Sequence, residues 1–252
     1  MNLRMKSEWR LWLVALSFFT RLPVQVADFE EADLNHAVKY FPLVGILVGL
    51  IAVAVYGLAI LVWPLQLAVL ASMAATIWLT GAFHEDGLAD AADGLGGGWE
   101  KQQVLTIMQD SRLGSFGAIV LILVLLAKFE ALSHSSAPLL PGIMLAGHAL
   151  SRLAAVLVIY TQSYVRTNGK SKPLATELSR HELLLAGLFG LAPLVLLGYK
   201  SLLATLLVVL VWFWFGSKLK KRLGGYTGDC LGAMQQFTEL AFYLGLLALN
   251  FK

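Results

Sequence analysis

Long apolar runs separated by short polar segments dominate the chain, and their lengths decide what they are. A helix needs about 20 mostly apolar residues to cross a bilayer. Stretches at about 42–63, 65–83, 114–133, 138–160, 183–199, 201–216 and 231–249 qualify. The opening segment differs: charged residues up to Arg10 precede a short apolar run, Leu11 to Phe19, which Arg21 and Pro23 close. That run is too short to span, and Thr20-Arg21-Leu22-Pro23 offers no small-residue cleavage site. The pattern predicts an all-α, polytopic transmembrane helical bundle of about seven spans, plus an N-terminal interfacial or half-inserted helix. It forms one integral membrane domain over residues 1–252.

Composition agrees, with 58% hydrophobic residues, 14% charged residues and a mean hydropathy of +0.73. Net charge of +3 is too small for a nucleic-acid surface. The single cysteine, Cys230, excludes an internal disulfide and any multi-thiolate metal site. Placement of the cations is more informative than their number. Threading seven spans puts 15 Lys and Arg residues on one side, in the N-terminal segment and three loops, and leaves only Lys200 and Lys252 on the other. By the positive-inside rule the basic side faces the cytoplasm. The expected location is a bacterial inner membrane, with working loops at about 84–113, 161–182 and 217–230.

Acidic residues gather on that same side, which topology does not require. From Gly81 to Gly94 the sequence carries no breaker and reads as a helix continuing the second span out of the membrane. Asp86, Asp90 and Asp93 stand at i, i+4 and i+7, within roughly 60° of one another on that helix. Like charges so spaced repel unless a cation neutralises them. A solvated helix end is the plainer reading of such a run, but here Gly, Leu and Ala separate the acids. The pattern therefore points to a divalent cation held by hard oxygens, Mg²⁺ or Mn²⁺. A magnesium ion beside a membrane commonly serves phosphate chemistry.

Asp110 and Arg112 bring a carboxylate and a guanidinium to the start of the third span, where Ser111 and Gly114 sit at a helix N-terminus. Gly225, Thr227 and Asp229 form a second glycine-rich approach before the last span; Asp229 is a further metal ligand or a helix N-cap, and the cap is the commoner role. Loop 164–173 supplies Arg166, Lys170 and Lys172, which either hold a diphosphate or merely orient the protein. Arg152 lies inside the fourth span four residues after His148, so it must pair within the bundle or line a polar cavity. Lys128, Glu130 and Glu239 pose the same demand, and Lys128 and Glu130 are expected to find partners on other helices. His84, about 200° around the helix from Asp86, reads as a packed histidine.

Five motifs in order resemble the cobalamin synthase family, the adenosylcobinamide-GDP ribazoletransferases. They are Phe18-Phe19-Thr20-Arg21-Leu22-Pro23-Val24, Tyr40-Phe41-Pro42-Leu43-Val44-Gly45, the stretch from His84 to Gly94, the stretch from Asp110 to Gly117, and the stretch from Gly224 to Ala233. The resemblance implies a reaction. The 3′-hydroxyl of α-ribazole, or of its 5′-phosphate, attacks the cobinamide-side phosphorus of adenosylcobinamide-GDP, releasing GMP and forming adenosylcobalamin or its 5′-phosphate. It implies Mg²⁺ on Asp86, Asp90 and Asp93, with Asp93 or Asp110 as candidate bases. Substrate would be held by Arg21, Arg112, Arg152, Lys170, Lys172, Gly225, Thr227 and Asp229. The partners expected are those two substrates and the lipid bilayer, without nucleic acid; homo-oligomerisation is left open. Two other readings compete. A CDP-alcohol phosphotransferase shares a similar Asp86-Gly87-Leu88-Ala89 opening, but Asp90 stands where its arginine belongs. A cation-coupled transporter would use the acids as an ion site, yet they cluster at one mouth rather than at mid-membrane.

Overall fold

A computed structural model of the chain describes residues 3–26, 30–166 and 178–250. Eleven α-helices occupy these residues: α1 Leu3–Phe19, α2 Glu31–Ala37, α3 Phe41–Ala59, α4 Leu65–Thr80, α5 Phe83–Gly97, α6 Lys101–Ile107, α7 Ser115–Ser133, α8 Leu140–Thr161, α9 Arg180–Leu191, α10 Tyr199–Leu223 and α11 Gly228–Asn250. Among the described residues no strand forms; a lone parallel bridge joins Tyr164 to Tyr226.

Five helical stretches are long and apolar enough to cross a membrane, Ala32–Ala59, Ser115–Ser133, Ala137–Thr161, Arg180–Leu197 and Tyr199–Leu223. The pair α4 and α5 makes a sixth if it counts as one span. The stretch expected at 231–249 is α11, which is not among them: Gln235, Gln236, Thr238 and Glu239 lie on its buried side and lower its apolarity. Lipid-facing surface is recognisable on α7 and α10, where Ile119, Leu123, Leu206, Leu210 and Phe213 are exposed. The core forms around α8, most of whose residues are buried. Small residues let its neighbours approach, as expected where lipid supplies no hydrophobic drive between helices. A Cβ added at Gly49 of α3 would stand 2.8 Å from Leu145 Cα of α8.

One expectation needs correction. The second span does not continue smoothly into the acidic helix; it breaks at Gly81 and Ala82, and α5 leaves α4 at 85°. Both break residues are left-handed, Gly81 at φ 65° and Ala82 at φ 57°. Glycine adopts this at no steric cost, whereas alanine stores about 1–2 kcal/mol of strain. The turn closes through Ala82 N–H donating to Ile77 O at 2.9 Å. When α4 stands along the bilayer normal, α5 lies near the membrane plane, so its acids sit at the mouth. Gly94 does not end the helix, which runs on to Gly97, and a Cβ at Gly94 would press on Met108 and on Val104 O.

Beneath α5 a polar network ties α7, α8 and α11 together. Lys128 Nζ donates to Glu239 at 2.8 Å and to Gln236 Oε1 at 2.7 Å, and Tyr243 donates to Glu239 at 3.3 Å. Gln235 Nε2 donates to Ser151 at 3.0 Å, and Gln236 Nε2 donates to Glu85 of α5 at 2.9 Å. His148 Nδ1 lies 3.1 Å from Glu239. Arg152 donates to His148 O at 2.9 Å. Arg152, Glu85 and Glu239 line a cavity of about 30 Å³, room for one or two waters. Lys128 thus finds its partners on another helix as expected. Glu130 does not: it is exposed and meets His134, four residues on, at 3.3 Å, because it faces out of the bundle near the end of α7.

Removing one partner of a buried ion pair typically costs about 3–5 kcal/mol, because the other charge stays buried. Lys128→Met should therefore lower the unfolding midpoint in detergent clearly, while Lys128→Arg keeps most of it. An unchanged midpoint for Lys128→Met would show that the neighbours of Glu239 suffice without the lysine.

Candidate active site

The mouth is built where α5 crosses α11. A Cβ at Gly87 would lie 3.1 Å from Asp229 O and 3.3 Å from Gly232 Cα, so two glycines allow the backbones to touch. Gly228 and Gly232, four apart, are the sequence signal for such a crossing. Asp86 and Asp90 flank Gly87 and are thereby carried next to the first turn of α11. Asp86 is exposed and Asp90 half-buried. Burial first, then the carboxylates of Asp229 and Asp86, push Asp90 up to about 7, with Arg166 opposing. Burial also raises Asp229, against the pull of Arg166.

Asp93 is placed differently. It is buried, and both its oxygens accept backbone N–H groups, Gly114 at 2.7 Å and Gly117 at 2.8 Å, at the start of α7. A carboxylate there satisfies free donors and suits the positive end of the helix. A Cβ at either glycine would collide with that carboxylate. Among the described residues, no three His, Cys, Asp or Glu side chains converge as a ready metal centre.

Asp110 and Arg112 lie in the loop that Asp93 anchors, and they engage each other. Arg112 Nη2 donates to Asp110 Oδ2 at 2.6 Å and Nε donates to Oδ1 at 3.0 Å. The guanidinium holds Asp110 down at about 2, so it stays ionised and is a weak base at neutral pH. The Arg112 side chain is 88% exposed and available to a ligand arriving from solvent.

Thr227, not Asp229, fills the capping role at α11: its hydroxyl accepts Cys230 N–H at 3.3 Å. Asp229 instead accepts from Arg166 Nη2 at 2.7 Å. Gly225 lets the loop before α11 lie against Ser163, and the backbones exchange Tyr226 N–H to Ser163 O and Val165 N–H to Tyr226 O, each at 3.0 Å. This junction carries Arg166 to the acids. Sequence reasoning noticed Arg166 only as one cation of a basic loop, because the pairing spans 63 residues. Arg21 packs beside Gly81 at the α4–α5 break, its N–H donating to Leu79 O at 2.7 Å. Arg152 faces the inner cavity rather than the mouth. Lys170 and Lys172 fall outside the described residues. His84 is buried and stacked on Phe19, as a packed histidine should be.

Because the folded state holds the Asp90 proton up to about pH 7 while an unfolded aspartate releases it near 4, Asp90 costs stability increasingly as pH rises through that window. In metal-free buffer, Asp90→Asn should be stabilised relative to the parent, more at pH 8 than at pH 5. Melting curves at the two pH values check this, and equal differences would remove the strained carboxylate from the account.

An adenosylcobinamide-GDP ribazoletransferase of Ralstonia pickettii is 48% identical, with 97% of each chain covered. Those of Shewanella amazonensis, 46% identical with 97% of each chain covered, and Shewanella frigidimarina, 45% identical with 95% covered, carry the same name. No solved structure matches. The sequence model of the Cobalamin-5-phosphate synthase family matches residues 11–247, and the chain belongs to that family.

Proposed function

We propose that this chain joins adenosylcobinamide-GDP to α-ribazole, or to its 5′-phosphate, releasing GMP in the last stage of cobalamin assembly. Family membership and the activity in the names of its relatives support the reaction. The observation that carries it to a site is the crossing of α5 and α11, which sets Asp86, Asp90 and Asp229 beside a buried arginine at one mouth of the bundle. The side is the cytoplasmic face of a bacterial inner membrane, on the argument from basic loops.

In the reaction the 3′-hydroxyl oxygen bonds to the cobinamide-side phosphorus, the bridging P–O bond breaks, GMP leaves with those electrons, and the hydroxyl proton is lost. The hydroxyl proton passes to solvent water, because Asp86 and Asp90 are the prospective cation ligands and Asp110 is too weak a base at neutral pH. Asp93 orients the loop that carries Asp110 and Arg112, and Arg112 attracts the incoming diphosphate. The donor set fits magnesium: hard oxygens only, with Asp90 in the field of the Asp229 and Asp86 carboxylates. Asp86 and Asp90 would hold it, with Asp229 beside them and Asp93 behind. Magnesium, or manganese, bound there would neutralise charge developing on the phosphates.

The test is GMP release from adenosylcobinamide-GDP and α-ribazole by purified protein in liposomes. We expect release that is lost with EDTA, restored by Mg²⁺, and reduced about 100-fold or more in Asp86→Ala and Asp90→Ala. Folded protein that forms no GMP would overturn the reaction, and EDTA-resistant turnover would overturn the metal.

A further inference from the structure

Arg166 is a buried guanidinium with an incomplete set of partners. Its side chain is only 9% exposed, and Nη2 is committed to Asp229 at 2.7 Å. Its Nε is buried and has no acceptor among the described residues. A buried N–H on a charged group is costly to leave unmade, so this one calls for an oxygen that the described residues do not supply. The surroundings say what kind of oxygen. The guanidinium meets α11 at its first turn, where free N–H groups and the helix dipole favour an anion, and the space over Gly228 is open. The Tyr164–Tyr226 bridge fixes the backbone on both sides, so the guanidinium is set before any ligand arrives.

We infer that Arg166 and the N-terminal turn of α11 bind the diphosphate of the nucleotide-activated substrate, with Asp229 as the residue that aims the guanidinium. This rests on the reaction proposed above. The arginine fork suits the task because one nitrogen can stay on Asp229 while the Nε side meets a phosphate oxygen. Lysine would keep the charge but could not make both contacts.

The experiment measures GDP binding to the purified full chain in lipid-free detergent with Mg²⁺ present, by calorimetry, alongside turnover. A charge-assisted hydrogen bond is worth about 1.5–3 kcal/mol, so Arg166→Gln should weaken GDP about 10- to 100-fold, with KM rising in step. Arg166→Lys, which keeps a cation beside Asp229, should bind with an intermediate loss and melt within a few degrees of the parent, because the buried ion pair is retained. GDP affinity unchanged in both variants overturns the inference. Unchanged GDP affinity combined with lost stimulation by phosphatidylglycerol vesicles also overturns it, and assigns the guanidinium to a lipid headgroup. Failure of the parent reaction is separable: it appears as absence of GMP release by the unaltered protein, whatever GDP does.

Discussion

The contact between Gly87 and the first turns of α11 is the constraint on which the mouth depends. Within a bilayer, apolar side chains gain nothing from meeting one another instead of lipid, so helices associate where backbones can come close. Gly87 and Gly232 supply that closeness, with Asp229 in the same contact. Without those missing side chains, Asp86 and Asp90 would project into open solvent as an ordinary charged helix end. With the glycines closing that gap, Asp90 comes into the field of Asp229, which adds to the larger effect of burial in raising its proton affinity.

Holding α5 at such an angle requires anchors that do not depend on apolar burial. Three are present. Asp93 accepts from two backbone N–H groups of α7, Gln236 donates to Glu85, and Arg222 of α10 donates to Leu95 O and Gly98 O near the helix C-terminus, where a cation is favoured. The Gln236 anchor continues into Lys128 and Glu239, charges that are expensive at membrane depth and are therefore paired and hydrogen-bonded. This explains why α11, 23 residues long, is not among the candidate spans: its inner face serves as the polar post to which α5, α7 and α8 are tied.

Much of this was legible in the sequence, for physical reasons that also mark the limit. Apolar length is a direct consequence of bilayer thickness, so the spans of α3, α7, α8 and α10 could be read from it. The acid stripe on α5 followed from helical periodicity. The break at Gly81 and Ala82 was hidden because alanine favours the helix, and only tertiary contacts hold it left-handed. The destination of Asp93 was hidden too: its spacing with Asp86 and Asp90 is the same whether it faces an ion or the start of α7. The caps of α11 were exchanged for a similar reason, since Thr227 and Asp229 are both good capping residues, and the distant Arg166 decides between them.

Charge at the mouth orders the events that the proposed reaction needs. Three carboxylates, Asp86, Asp90 and Asp229, share the field of one buried guanidinium, Arg166. A diphosphate would add further negative charge to that excess. Substrate binding is therefore unfavourable until the excess is answered, either by protons, which Asp90 retains up to about neutral pH, or by a divalent cation. Protonation would remove a cation ligand along with the repulsion, whereas a cation would remove the repulsion and leave the carboxylates ionised. On this reading a cation and the activated substrate would enter as a pair, each lowering the cost of the other, because their opposite charges would balance at the mouth.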